Sequence, residues 1–405
     1  MMTLDEARAL DAADPLRSFR ARFALPDGVI YLDGNSLGPL PRATREVLAD
    51  TVDRQWGDRL IRSWNEGWID SPERIGDKIA RLVGAAPGEV IACDTTSANL
   101  FKLIVAALRL DPSRTKIVTE SGNFHTDLHI AEGAVRCVPG ATLTVVPRDR
   151  LADAIGSDTA LLLLTHVHYK TAERFAMAAW TARAQAAGAL VLWDLSHSAG
   201  AVTVDLNACN ADLAVGCGYK YLNGGPGAPA WLYVARRWQD RLENPVSGWM
   251  GHAQPFAFTD SYAPAAGIRR WLSGTPVITA MAALESGVDL MLEADMAQIE
   301  AKSAALFDAM HAVGDRLGLE CVSPADPAMH GSHISFRHSH AYALCQALIA
   351  QGVIGDFRDP DVLRLGLTPL YLRYEDIVRA GAVLGDVLTN RRYADPVLSR
   401  RQAVT

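Results

Sequence analysis

Between Lys116 and Val234 the chain repeats one pattern: a short apolar run, a segment long enough for a helix, then another apolar run. The runs are Ile117-Val118-Thr119-Glu120, Leu143-Thr144-Val145-Val146, Leu161 to Leu164, Leu190 to Asp194, the stretch around Val215, and Trp231-Leu232-Tyr233-Val234. A strand with one wet face alternates apolar and polar residues, whereas an uninterrupted run has both faces covered. Such strands separated by helices predict an α/β fold with a mostly parallel sheet. In that architecture ligands sit beyond the carboxyl ends of the strands. Phe124, Asp127, Thr165, Asp194, His197 and Lys220 all fall just past a predicted strand end.

Two of these ends have complementary chemistry. The run Val191-Leu192-Trp193 stops on Asp194, and Asp212-Leu213-Ala214-Val215-Gly216 delivers Lys220 into the loop Gly224-Gly225-Pro226-Gly227. A pyridoxal phosphate (PLP) site requires such a pair: an acid that keeps the pyridine nitrogen protonated, and an amine that condenses with the aldehyde. Taken singly, each residue has an ordinary structural role, as a helix cap or a solvated loop lysine. The pair gains weight from Thr95-Thr96-Ser97, which opens a helix carrying Leu100, Leu103, Ile104 and Leu108. One cap uses one hydroxyl, and the free N–H groups and dipole of a helix start can also hold a phosphate.

The flanking regions are organised differently. Residues 1 to about 28 read as a short helix and polar entry segment. The strand Val29-Ile30-Tyr31-Leu32 then runs into a Gly- and Pro-rich turn, Asp33 to Pro39, where Asn35 and Ser36 offer polar groups. Arg42 to Asp58 is helical by spacing, and Trp56, Trp64 and Trp68 follow as a cluster that would seal a core edge or meet an aromatic ligand. Ser71-Pro72 starts a further helix with an N-cap and a Pro at its first position. One long helical region is predicted from Val277 to Leu317, followed by a smaller α/β unit with strands at 319–322, 334–336 and 362–365. The expected division is an N-terminal segment, 1–45, packing with the small domain; a large ligand-binding domain, 46–290; and a small domain, 291–405.

Several function classes are disfavoured. A net charge of −7 argues against a nucleic-acid surface, and no apolar run approaches the length needed to span a bilayer. The start of the chain is acidic and lacks the apolar core of a secretory signal, and the six cysteines form no C-x-x-C pair, so the cytoplasm is the expected compartment. His330, His333, His338 and His340 match no zinc spacing, so no metal is expected. G-x-S-x-G and P-loop motifs are absent, and the Gly224–Gly227 run precedes a strand instead of opening a helix.

The order of these pieces resembles the fold-type I PLP-dependent enzymes, in particular the class V aminotransferase group, and within it the kynureninase family. The resemblance is carried by Gly34-Asn35-Ser36-Leu37-Gly38, Asn123-Phe124-x-Thr126-Asp127, Asp194-Leu195-Ser196-His197-Ser198-Ala199-Gly200 and Tyr219-Lys220-Tyr221-Leu222-Asn223-Gly224-Gly225-Pro226-Gly227. Ser273-Gly274-Thr275-Pro276, Gly331-Ser332-His333 and Arg364-x-x-x-x-Pro369-Leu370-Tyr371 extend it over nearly the whole chain. His125 stands where the family usually has Pro, and Lys170-Thr171-Ala172 replaces a more usual Arg-Thr-Gly.

The resemblance implies PLP-dependent hydrolysis of L-kynurenine to anthranilate and L-alanine in tryptophan breakdown. It implies that Lys220 binds the cofactor and moves the α-proton, that Asp194 pairs with the ring nitrogen, and that Tyr219 serves as acid or base at the substrate ketone. Phe124 would lie on the ring face, and Thr96, Ser97 and Tyr219 would bind the phosphate. His125, Thr126, Asp127, Thr165 and His197 would complete the cofactor shell. Arg364 would clamp the substrate carboxylate, with Ser36 and Trp64 also on the substrate. Trp249 and Thr275 would reach the cofactor from the partner in a homodimer. Thr275 has no amide to grip a ring hydroxyl, which favours plain kynurenine over its 3-hydroxy form. The alternative within the group is a cysteine desulfurase or an aminotransferase. A desulfurase needs a loop cysteine, whereas Cys321 and Cys345 fall in a predicted strand and helix. A non-catalytic binding protein on the same scaffold would be expected to lack Lys220 or Asp194, and both are present.

Overall fold

A computed structural model describes residues 2–402 of the chain. Its strands are β1 (Ile30–Tyr31), β2 (Val90–Ala92), β3 (Lys116–Glu120), β4 (Thr142–Val146), β5 (Thr159–Thr165), β6 (Leu190–Asp194) and β7 (Leu213–Gly216). They continue with β8 (Trp231–Val234), β9 (Glu320–Cys321), β10 (His333–Arg337), β11 (Val353–Ile354), β12 (Asp356–Arg358) and β13 (Val362–Gly366). Strands β2 to β8 make one sheet in the order β2-β8-β7-β6-β5-β3-β4. The run from β7 to β4 is parallel, and β8 alone is antiparallel to both its neighbours.

The uninterrupted apolar runs are strands buried on both faces. Every residue of β5, β6, β7 and β8 is buried, whereas β4, at the sheet edge, exposes Thr142 and Val145. Alternation along the strands divides the runs between two cores. Leu161, Leu163, Leu190 and Leu192 pack with the helix Thr96–Leu110, and Leu162, Leu164, Val191 and Trp193 belong to the larger core on the other face. Each such side chain contributes about 1.5–3 kcal/mol by leaving water, so this layering dominates the stability of the sheet. The parallel register sets Thr165 beside Asp194 and Asp194 beside Val215, which brings three loop starts to one sheet edge.

A second, antiparallel sheet has the order β12-β13-β10-β9. The N-terminal part of the chain packs here: β1 pairs in parallel with β11, and the helix Leu4–Ala13 lies on the helix Tyr374–Thr389. The carboxylate of Asp11 accepts hydrogen bonds from the N–H groups of Tyr374 and Glu375, capping that helix from a distant part of the sequence.

Two expectations need correction. The region 277–317 is two helices, Ile278–Leu292 and Met296–Arg316, broken where Asp295 caps the second by accepting from the Ala297 N–H at 2.8 Å. The apolar stripe continues across the break and conceals it. Likewise the helix from Arg42 keeps α geometry only to Asp50; Thr51–Arg59 widens into a π-helix, and Leu60, with φ of 57°, turns the chain into a 3-10 segment ending at Trp64. Among the described residues no helix is long and apolar enough to cross a membrane.

Candidate active site

A cavity of about 260 Å³ opens at the carboxyl edge of the parallel strands. Its walls include Thr96, Ser97, Phe124, Thr126, Asp127, Thr165, Asp194, His197, Tyr219 and Lys220. With Thr95, eleven of the residues singled out in the sequence therefore meet in one place. Tyr169 and Ser196, which the sequence did not single out, complete it, and the Tyr169 ring stands edge-on to Phe124 with centroids 5.2 Å apart.

Lys220 lies in the loop after β7, with its Nζ 3.0 Å from His197 Nε2 and 5.8 Å from the centroid of the Phe124 ring. Burial, reinforced by the positive charge of Lys220, holds the His197 imidazole well below its ordinary pKa. A neutral ring presents Nε2 to the amine and leaves Nδ1 as a buried atom without a partner. The turn that follows β1 is pressed against the same loop. Gly38 donates its N–H to the Tyr219 carbonyl at 2.8 Å, and a Cβ on Gly38 would collide with the Lys220 carbonyl. The glycine of the 33–39 turn is needed for this close approach.

Opposite the amine lie two buried carboxyls. Asp194 accepts from the Ser196 N–H at 2.6 Å, and Asp127 accepts from the Thr165 hydroxyl at 3.1 Å. Burial raises both pKa values, and the charge of Asp194 raises Asp127 further. Asn123 orders this corner by accepting from the Thr165 hydroxyl and from the Phe124 N–H. The sequence quoted Asn123 only as part of a motif; an amide gains its role from what lies opposite, which no spacing displays. Asp127 Oδ1 has no partner. Two carboxyls with Lys220 as the adjacent cation suit a further positive group, such as a protonated ring nitrogen, at this end of the cavity.

The start of the helix Thr96–Leu110 forms another part of the wall. Thr95 caps it by accepting from the Ala98 N–H at 3.2 Å, so the N–H groups of Thr96 and Ser97 have no acceptor within the helix. A second cavity of about 340 Å³ shares Thr95, Thr96 and Tyr219 with the first and is also lined by Thr275. An amine, a buried acid, an aromatic face and a helix start with free N–H groups thus line one cavity. This donor set fits PLP.

The remaining candidates lie outside the 260 Å³ cavity. The His125 ring packs on Phe124 at 4.3 Å between centroids, and Trp64 stands edge-on to Trp68 at 5.7 Å. Trp249 is 41% exposed and stacks edge-on to Phe256. Arg364, on β13, is buried and has a partner at each of its three nitrogens. Its guanidinium pairs bidentately with Asp356 and donates to Ser36 Oγ at 2.8 Å and to the Tyr169 carbonyl. Arg358 donates to the same Asp356 at 2.7 Å. Asp356 and Arg358 were not singled out in the sequence, because β12 is three residues long and shows no pattern of its own.

Comparison with known proteins agrees with this geometry. Residues 299–384 match the family described as Kynureninase C-terminal domain. The chain is 47% identical to the kynureninase of Pseudomonas fluorescens and 48% identical to that of Burkholderia pseudomallei strain K96243, in each case over all of both chains. In structure it resembles a cysteine desulfurase from Thermococcus onnurineus NA1, with a TM-score of 0.81, 18% identity, and coverage of 92% of this chain and 98% of that one. A cysteine desulfurase from Escherichia coli gives a TM-score of 0.77 at 20% identity, with coverage of 93% and 98%. At such identities the desulfurases establish the fold alone, whereas the full-length relatives place the chain in the kynureninase family, on a fold-type I PLP-enzyme architecture.

Proposed function

We propose that Lys220, Asp194 and Tyr219 carry the PLP-dependent hydrolysis of L-kynurenine to anthranilate and L-alanine, the activity that belongs to this family. The observation that bears most weight is the placement of the Lys220 amine and the Asp194 carboxylate in the walls of one cavity that ends at a helix N-terminus. Bound there, the cofactor supplies an aldehyde for the amine and a ring that absorbs the electron pair released at the substrate α-carbon.

The chain's own residues divide the remaining work. Thr96 and Ser97 bind the phosphate through free N–H groups and hydroxyls at the positive end of the helix. Asp194 holds the proton on the ring nitrogen, with Asp127 and Thr165 fixing its surroundings. Phe124 covers one ring face; Thr126, His125 and His197 complete the shell. Lys220 would be the base for the substrate α-proton, and neutral His197 beside its Nζ can accept a hydrogen bond from it. Burial and the neighbouring Cys217 thiol push the Tyr219 phenol above its ordinary pKa, so it is protonated at neutral pH. It is placed to give a proton at the substrate ketone as water adds and the Cβ–Cγ bond breaks. Arg364 and Ser36 receive the substrate carboxylate, and Trp64 meets its aromatic ring.

The 46–290 unit is taken as the PLP-binding domain and 291–405 as the small domain, with 1–45 attached to it. The chain works in the cytoplasm as a homodimer in which Trp249 and Thr275 serve the partner's cofactor. No metal, nucleic acid or membrane takes part. The test is to incubate the protein with PLP and L-kynurenine: anthranilate and alanine form in equal amounts, and Lys220→Ala abolishes both. A wild-type protein that binds PLP and yields neither product would overturn the assignment.

A further inference from the structure

Asp94 is an awkward residue to find beside a phosphate site. It immediately precedes the Thr95 cap, holds a left-handed backbone with φ of 48°, and lines the 340 Å³ cavity together with Thr95, Thr96 and Thr275. Its side chain is 32% exposed. An anionic carboxylate there would oppose a phosphate dianion at the start of the helix Thr96–Leu110, where the free N–H groups draw negative charge.

Lys102 answers that charge from beneath. It sits on the same helix with a fully buried side chain, pairs its Nζ with Asp94 Oδ2, and donates to the Trp271 carbonyl at 2.7 Å. Trp271 begins the segment that continues through Leu272, Ser273 and Gly274 to Thr275, all four of which line the same cavity. One ammonium group therefore neutralises the acid next to the phosphate-binding turn and ties that turn to the opposite wall. A buried lysine is costly to desolvate, and an apolar residue would pack there at less cost if packing were its whole purpose.

We propose that Lys102 is a positioning residue for the cofactor phosphate: it acts through Asp94, neutralising the carboxylate beside the phosphate-binding turn 94–97. The inference rests on the PLP assignment above. It makes a prediction that a purely structural lysine would not, because only the phosphate should sense the loss. Pyridoxal, which has the same ring and aldehyde but no phosphate, serves as the control ligand.

The experiment titrates cofactor-free full-length protein with PLP and with pyridoxal, following absorbance. For Lys102→Met, the Kd for PLP rises about tenfold or more, as expected for an unneutralised charge beside a dianion, while the Kd for pyridoxal changes less than about twofold. Adding Asp94→Asn to that variant restores PLP affinity. Equal weakening for both ligands, no weakening, or failure of the second substitution to restore affinity would overturn the proposal. If Lys102→Met does not fold, Asp94→Asn alone still decides the matter. It leaves PLP affinity undiminished if the carboxylate is a liability, and a tenfold loss would overturn the proposal. A wild-type protein that bound neither ligand would instead overturn the PLP assignment.

Discussion

Tyr219 precedes the amine in sequence and shares its cavity, so its phenol can be tested with the cofactor still held by Lys220. Tyr219→Phe keeps the ring and removes the proton. It should lower kcat by on the order of 10²–10⁴-fold, the usual worth of a positioned acid or base, while PLP stays bound; steady-state kinetics with a cofactor spectrum checks both. Asp33 offers a test on stability. Burial first, and then the charge of Asp356, raises its carboxyl to about 8. A carboxyl whose folded pKa lies above its unfolded value keeps its proton when folded but loses it when unfolded. Asp33 therefore subtracts stability progressively as pH rises from about 4 to about 8. Asp33→Asn should gain in Tm relative to wild type across that window and match it near pH 4. Ala172 explains a departure visible in the sequence. It holds φ of 64° in a buried turn where the family usually has Gly. The left-handed strain of about 1–2 kcal/mol is offset by a buried methyl worth about 0.8 kcal/mol and by the extra freedom glycine would bring to the unfolded chain, about 0.4–1 kcal/mol. Alanine is therefore tolerated there. Asp194, Thr165 and Lys220 were legible in the sequence because a polar residue ending an apolar run is conspicuous. Asp356 and Asn123 were not: Asn123 acts on Thr165, 42 residues on, and Asp356 joins Arg364 to Ser36 from the other end of the chain.

The strands of the large sheet were legible because burial on both faces leaves an unbroken apolar record. Short strands such as β11 and β12, and the helix break at Asp295, leave none: two or three paired residues carry no period, and a shared apolar stripe runs through the break. What joins the N-terminal helix Leu4–Ala13 to the later helices was also hidden. Lys302, inside the helix Met296–Arg316, reaches Asp14 Oδ2 at 2.7 Å and the Pro369 carbonyl at 2.6 Å, with both charged side chains almost wholly buried. Removing one member of a buried pair strands the other without water. Asp14→Ala should therefore destabilise the fold by about 3–5 kcal/mol. The same variant should free the first residues of the chain first, so limited proteolysis before the turn at 33–39 should accelerate more than cleavage within the large sheet. Uniform acceleration at all sites would show that the pair supports the whole fold equally, and not the docking of this helix.

Taken as a whole, the molecule presents apolar groups that a lone subunit leaves in water. Trp56, Ile61, Phe256 and Phe258 are each more than half exposed, and a groove of about 580 Å³ between Leu37–Pro41, Leu48 and Ala280–Ala283 is lined mainly by apolar side chains. Patches of this kind mark association surfaces, and the proposed homodimer would cover them. It would also give Trp249, 41% exposed and stacked on Phe256, a reason to be aromatic. The arrangement can be tested by subunit mixing. Lys220→Ala and Trp249→Ala each damage one function. If Trp249 serves its own subunit's site, a hybrid of the two variants contains one site without the amine and one without the tryptophan, and activity stays at the level of the parents. If Trp249 serves the partner, the hybrid contains one site damaged in both respects and one site wholly intact. Mixing the variants, unfolding and refolding them together with PLP should then raise activity above either parent, towards one quarter of wild type, because half of a random mixture is hybrid and half of each hybrid's sites are complete. Activity no higher than the mean of the two parents would place Trp249 in its own subunit's site, and a fully active protein sedimenting at 43.7 kDa would remove the dimer from the mechanism altogether.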